Sequence, residues 1–214
     1  MGKFILGDCM DKNIGLPSYP DGFFDLAIVD PPYGEHCNLV GGTSANGGAG
    51  WKGTYGKAQK WNTEPSKAYF LELFRVSKNQ IIWGANYFIE KISKNSSGWI
   101  FWDKGQRNFT LADGELAWTS FKKPLRVANY SRGKLNSERV FHPTEKPIAL
   151  YEWILSKYAK PGDLILDTHV GSASSLIAYE GMGFDYIGFE IDPDYYAAAK
   201  NRMSKGIQSV LKYD

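Results

Sequence analysis

Short apolar runs that stop at a carboxylate set the strongest constraint on how this chain can fold. Asp25-Leu-Ala-Ile-Val-Asp30, Leu164-Ile-Leu-Asp167 and Tyr186-Ile-Gly-Phe-Glu190 are the three clearest. Each is continuous rather than alternating, the pattern of a strand buried on both faces of a parallel sheet. Helical patterns stand between the later ones. Pro147 opens a helix whose Leu150, Trp153, Ile154 and Tyr158 share a face, and Pro161-Gly162 ends it. Gly171-Ser172 leads into a helix of small residues, and Asp192-Pro193 caps a final helix running through Arg202. Strands alternating with helices predict βαβ units and a three-layer α/β fold, its mostly parallel sheet covered on both faces. Residues 4–6, 80–83, 99–102 and 115–121 read as further strands, with one antiparallel strand expected within 99–121. Asn62-Thr63 is expected to cap a helix over residues 65–77, with Tyr69, Phe70, Leu73 and Phe74 on one face.

With 214 residues the chain is expected to form one domain over its whole length. A composition 43% hydrophobic and 22% charged excludes disordered and fibrous classes. No apolar run nears the roughly 20 residues of a membrane helix, so no membrane partner is expected. The N-terminus reaches Asp8 too soon for a secretory signal. Two cysteines, Cys9 and Cys37, and three histidines give neither a disulfide framework nor a metal-site spacing. A reducing, cytoplasmic setting is the expectation. The net charge of +2 says little, so the distribution of charge matters more.

Two strand-to-helix turns carry chemistry, because ligands in such sheets lie at the C-terminal ends of the strands. At Asp30-Pro31-Pro32-Tyr33 the prolines fix the backbone and leave the Pro31 carbonyl free as an acceptor. A carboxylate, a carbonyl and a ring then suit a flat heterocycle bearing an amino group: two acceptors for two N–H donors and a face to stack on. The second turn is Asp167-Thr-His-Val-Gly171-Ser-Ala-Ser174, with Gly171 allowing close backbone approach. Glu190 ends the next strand 23 residues after Asp167, about the spacing at which an acid meets ribose hydroxyls. Two further segments are candidate DNA-recognition insertions. Residues 34–62 hold eight glycines together with Trp51, Lys52, Lys57 and Trp61. Residues 122–141 read as irregular and gather Lys122, Lys123, Arg126, Arg132, Lys134 and Arg139 against one acid, a candidate phosphate track.

These motifs resemble those of the amino-group DNA methyltransferases that use S-adenosylmethionine. Asp30-Pro-Pro-Tyr33 matches their catalytic tetrapeptide. The 167–174 turn resembles their cofactor loop, His142-Pro-Thr-Glu-Lys-Pro147 a third segment near the methionine end, and Gly7-Asp8-Cys9 a short motif at the adenine. The order, catalytic motif first, is that of the β group, and the resemblance spans residues 4 to about 203. It implies a Rossmann-like methyltransferase fold, S-adenosylmethionine as cofactor and double-stranded DNA as partner. A homodimer is one assembly that it allows. Asp30, Pro31, Pro32 and Tyr33 would be catalytic. Asp8, Cys9, His142, Thr144, Lys146, Pro147, Asp167, His169, Gly171, Ser172, Ser174 and Glu190 would bind the cofactor. Tyr33 would stack on a base flipped out of the duplex. Asp rather than Ser at position 30 favours adenine N6 in a restriction-modification setting of bacterial or phage type. The alternatives are cytosine N4, an RNA amino group, or a non-catalytic DNA-binding protein with a degenerate cofactor site. Thr168, His169 and Ala173 stand where the family has Pro, Phe and Gly. Ala173 is expected to have a negative, helical φ, and His169 to be a packed ring with a satisfied hydrogen bond. The 167–174 turn lacks Gly-x-Gly-x-x-Gly, which disfavours a nicotinamide enzyme.

Overall fold

The computed structural model describes residues 2–34, 63–107, 112–130 and 145–210. Trp51, Lys52, Arg132, Lys134, Arg139, His142 and Thr144 lie outside the described residues. Among the described residues eight strands form one sheet: β1 (Lys3–Leu6), β2 (Phe24–Val29), β3 (Ser77–Trp83), β4 (Trp99–Asp103), β5 (Gly114–Thr119), β6 (Arg126–Asn129), β7 (Leu164–Asp167) and β8 (Asp185–Glu190). Their spatial order is β1-β8-β7-β2-β3-β5-β4-β6. Only β5 runs against the rest, antiparallel to both β3 and β4, as the sequence predicts for the 99–121 region. The helices are α1 (Lys67–Val76), α2 (Ile89–Ile92), α3 (Ile148–Tyr158), α4 (Ser174–Gly181) and α5 (Pro193–Val210). None of them is long and apolar enough to cross a membrane.

The continuous apolar runs are explained by burial on both faces. Leu26 and Ile28 of β2 and Ile81 and Trp83 of β3 pack with Leu150, Ile154, Leu176 and Met203 of α3, α4 and α5. Ala27, Val29 and Ile82 point the other way, onto Tyr69, Phe70 and Leu73 of α1 and Phe88 and Ile92 near α2. The sheet is thus the middle of three layers. Each fully buried Leu, Ile or Phe contributes about 1.5–3 kcal/mol, so both layers are held chiefly by apolar contact.

Three local expectations are corrected. The cap of α1 is Ser66, whose Oγ accepts from the Tyr69 amide at 3.3 Å, not Asn62 or Thr63. Within 122–141, expected to be irregular, residues 126–129 form β6, paired in parallel with β4. Ala173 has φ +63° and precedes α4 as its left-handed cap rather than lying in the helix.

The topology places the site. From β2 the chain moves through α1 to β3, and from β7 it moves through α4 to β8 on the opposite side. The two connecting helices lie on opposite faces. β2 and β7 are neighbours, in register at Leu26↔Ile165 and Ala27↔Leu166. A cleft opens beyond the C-terminal ends of strands at such a switch point.

Candidate active site

One cavity of about 360 Å³ lies at that edge, within the range of small-molecule sites. Asp8, Met10, Glu190, Ile191 and Tyr195 line one end. Asp30, Pro31, Pro32, Tyr33, Lys146 and Tyr151 also line it, with Cys9, Ser66, Tyr69, His169, Gly171 and Ser172 among the remaining walls. Two strand-end acids that are 160 positions apart by number, Asp30 and Glu190, therefore share one space.

Glu190 is held by backbone donors. Its Oε2 accepts from Gly171 N at 2.8 Å and its Oε1 from Asp192 N at 2.9 Å. Gly171 sits at φ +55°, a left-handed conformation that favours glycine. Burial raises the Glu190 carboxyl above its usual range, and the backbone donors pull it back. Asp8 fixes its own turn by accepting from Met10 N at 2.8 Å. Cys9 is a buried thiol pushed up to about 12 by burial and the nearby Asp8 charge, so it stays protonated.

The second turn behaves differently from its neighbours. Asp167 is buried but does not line the cavity; it accepts from His169 N at 3.0 Å and from Ser175 Oγ at 2.5 Å. Burial pushes its carboxyl up to about 7. His169 does line the cavity. Its Nδ1 is 2.8 Å from Thr168 Oγ1, which is 2.7 Å from the Tyr69 hydroxyl. Burial lowers the imidazole to about 4, so the ring is neutral. Ser172 lines the cavity, whereas Ser174 is buried away from it, 2.9 Å from Arg202 Nη1. Pro147 is likewise outside the lining and serves as the N-cap residue of α3.

At Asp30 the two prolines end β2 and turn the chain. The Tyr33 hydroxyl donates to Asp30 Oδ1 at 2.7 Å. Its ring lies against Tyr87, 5.2 Å between centroids, and over the backbone of Gly84. A Cβ on Gly84 would stand 2.2 Å from the Tyr33 ring, and Gly84 has φ +65°, so glycine is required on both counts. Lys146, expected near the cofactor, lines the cavity with its ammonium turned to two carboxylates. Its Nζ donates to Asp30 Oδ2 at 2.5 Å and to Glu115 Oε2 at 2.9 Å, with its side chain only 2% exposed. Glu115 and Lys104 escaped the sequence reading. Each sits beside an otherwise ordinary strand end, and only the antiparallel course of β5 brings the start of one strand to the end of the others.

The described residues of the basic cluster lie away from the cavity. Gly98 precedes β4, and a Cβ there would meet the Lys123 carbonyl at 3.3 Å. Arg126 pairs with Ile100 at the start of β4. Lys122, Lys123 and Arg126 therefore lie at the N-terminal edge of the parallel strands, opposite the cavity. Lys123 Nζ donates to the Lys157 carbonyl at the end of α3.

Residues 57–201, about two thirds of the chain, match the N6/N4 DNA methylase family. The chain belongs to that family. The Escherichia coli (strain K12) protein YubD is 26% identical over 223 residues, covering 95% of this chain and 91% of its own. The type II methyltransferase M.HinfI of Haemophilus influenzae is 25% identical, over 95% of this chain and 68% of its own. Among solved structures, the M1.HpyAVI–SAM complex has a TM-score of 0.59 at 23% identity, covering 94% of this chain and all of the other. The cytosine-N4-specific PvuII DNA methyltransferase has a TM-score of 0.59 at 16% identity, covering 100% and 93%. These likenesses show the methyltransferase fold.

Proposed function

We propose that this methylase transfers a methyl group from S-adenosylmethionine to the N6 amino group of adenine in double-stranded DNA, in a restriction-modification setting. The observation that carries the reading is the single cavity shared by Asp30 and Glu190. The lining fits the cofactor chemically. Among the described lining residues Lys146 pairs with Asp30 and Arg202 pairs with Glu145 from outside, which leaves the acids Asp8 and Glu190; His169 is neutral, and a sulfonium is cationic. Glu190, fixed by two amides, would take the ribose hydroxyls, and Met10, Ile191 and Tyr195 would flank the adenine. When bound, the cofactor supplies an already activated methyl group, so the protein contributes mainly position and electrostatics. The target base would leave the duplex to reach the cavity. Asp30 and the Pro31 carbonyl would accept the two amino hydrogens and direct the nitrogen lone pair, and Tyr33 would provide a ring face.

Cytosine N4 is the second reading, since the fold is shared with a cytosine-N4-specific enzyme. Aspartate at position 30 supports adenine. Incubation with duplex DNA and radiolabelled cofactor, followed by nucleoside analysis, should place label in N6-methyladenine. Asp30→Ala should lower it more than a hundredfold while leaving cofactor affinity within about threefold. Label in N4-methylcytosine would select the second reading, and no label in any base would reject both.

A further inference from the structure

Glu115 is the second residue of β5, the strand that runs against the other seven. Its carboxylate therefore arrives at the edge where Asp30 leaves β2. Oε1 of Glu115 is 2.6 Å from Lys104 Nζ, and Oε2 is 2.9 Å from Lys146 Nζ. Lys146 continues to Asp30 Oδ2. Four charges thus alternate, Lys104–Glu115–Lys146–Asp30, with side chains no more than 19% exposed. The Tyr33 hydroxyl closes the group, donating to Asp30 and lying 3.3 Å from Glu115. A buried network of this kind seldom exceeds well-packed apolar residues in stability. Its retention here needs a reason other than stability, and the network ends on the carboxylate at the centre of the candidate site.

We propose that Glu115 and Lys104 are positioning residues: they hold the Lys146 ammonium in place beside Asp30, and the ammonium favours the ionised carboxylate and aims it to accept a hydrogen of the target amino group. The inference rests on the methyl-transfer reading above. A carboxylate offers about four acceptor positions, and Tyr33 and Lys146 take one on each oxygen. Positions remain for an amino hydrogen without displacing either. Once the amino nitrogen carries a fourth substituent it must lose a proton, and that proton passes from nitrogen to an Asp30 oxygen, leaving a neutral methylamino group. Only an ionised Asp30 can take it. The ammonium makes Asp30 a weaker base, which is harmless, because a protonated N-methylarylamine is a far stronger acid than a carboxylic acid.

The groups facing Asp30 act in opposed directions. Burial is the largest effect and leaves the carboxyl raised; Lys146 opposes it by charge and hydrogen bond, Glu115 adds to the rise and the Tyr33 hydroxyl lowers it. Tyr151 of α3, Tyr69 of α1 and Asp167 of β7 feel the Asp30 charge as well. Removing the ammonium should therefore raise Asp30, whereas removing the Glu115 charge should lower it. Any charged cluster gives such opposite shifts, so the readout that marks a positioning role is the pH profile of methyl transfer, which a cluster serving stability alone would leave unmoved.

The test is a carbon-13 carboxyl titration of the full chain without cofactor, with the Asp30 resonance assigned by its loss in Asp30→Asn. Lys146→Met should raise the Asp30 midpoint by at least one pH unit, Lys104→Met by less, and Glu115→Gln should lower it. Lys146→Arg should keep it near wild type. The acid limb of kcat/KM for DNA should move in the same directions, with KM for the cofactor within twofold. Should Lys146→Met not fold, Lys104→Met and Glu115→Gln still give shifts of opposite sign. An Asp30 midpoint unmoved in the lysine variants, or raised in Glu115→Gln, or an acid limb unmoved in all of them, would overturn the proposal. Shifts as expected with no methyl transfer by the wild-type chain would overturn the reading of function and leave the pinning of Asp30 standing.

Discussion

Asp30 and Glu190 were legible in the sequence because each is an acid at the end of a run too apolar to tolerate it inside. Ala173 was not. Its φ of +63° depends on how the 167–174 turn wraps under Glu190, which no local pattern reports. The left-handed conformation strains any side chain, yet the methyl group here is fully buried among the helices. These two effects oppose each other on substitution. In Ala173→Gly, relief of strain is offset by a lost buried methyl, about 0.8 kcal/mol, and a more flexible unfolded chain, about 0.4–1 kcal/mol. Stability should stay within about 1 kcal/mol of wild type. Ala173→Val adds a branched side chain to a conformation it resists and to a site with no room, and should cost more than about 2 kcal/mol. Urea unfolding of both variants checks this; equal losses would mean that the turn readily relaxes to another conformation.

At the scale of elements, the sequence resolved the interior strands and β1 at one edge, and missed β6 at the other. β2, β3, β7 and β8 announce themselves by continuous apolar runs, because both of their faces are covered. β6 hides because it lies at the rim, where of its four residues only Ala128 is buried. Its pattern is that of a loop, and pairing with β4 alone makes it a strand. The same gap concealed the meeting of β5 with the cavity edge. Packing between elements also explains Gly84, which links the end of β3 to the turn after β2. Gly84→Ala would put a methyl group into the Tyr33 ring and strain a left-handed residue. The ring must move, taking its hydroxyl from Asp30. Methyl transfer should fall at least tenfold while cofactor affinity, set near Glu190, changes less than threefold. Parallel loss of both would show that the two ends of the cavity are not separable in this way.

Across the whole molecule, burial of ionisable groups around one cavity ties stability to pH. Asp167, raised to about 7, binds a proton more tightly in the folded state, so its contribution weakens as pH climbs from the ordinary carboxylate value toward 7. His169 acts in the opposite sense. Its folded value of about 4 lies below the ordinary 6.5, so the unfolded chain takes up a proton first as pH falls. Stability from the neutral ring is complete above about 6.5 and is lost as pH drops toward 4. Comparison of His169→Phe with wild type isolates the histidine, because Asp167 is common to both. The full shift would be worth about 3 kcal/mol, and the ring borders a cavity open to water, so about 2 kcal/mol is the expectation. Unfolding free energies at pH 7.5 and 4.5 should show His169→Phe gaining that much on wild type at the lower pH. A constant difference at the two pH values would mean that His169 titrates as it does in water, and that burial beside Thr168 does not keep it neutral.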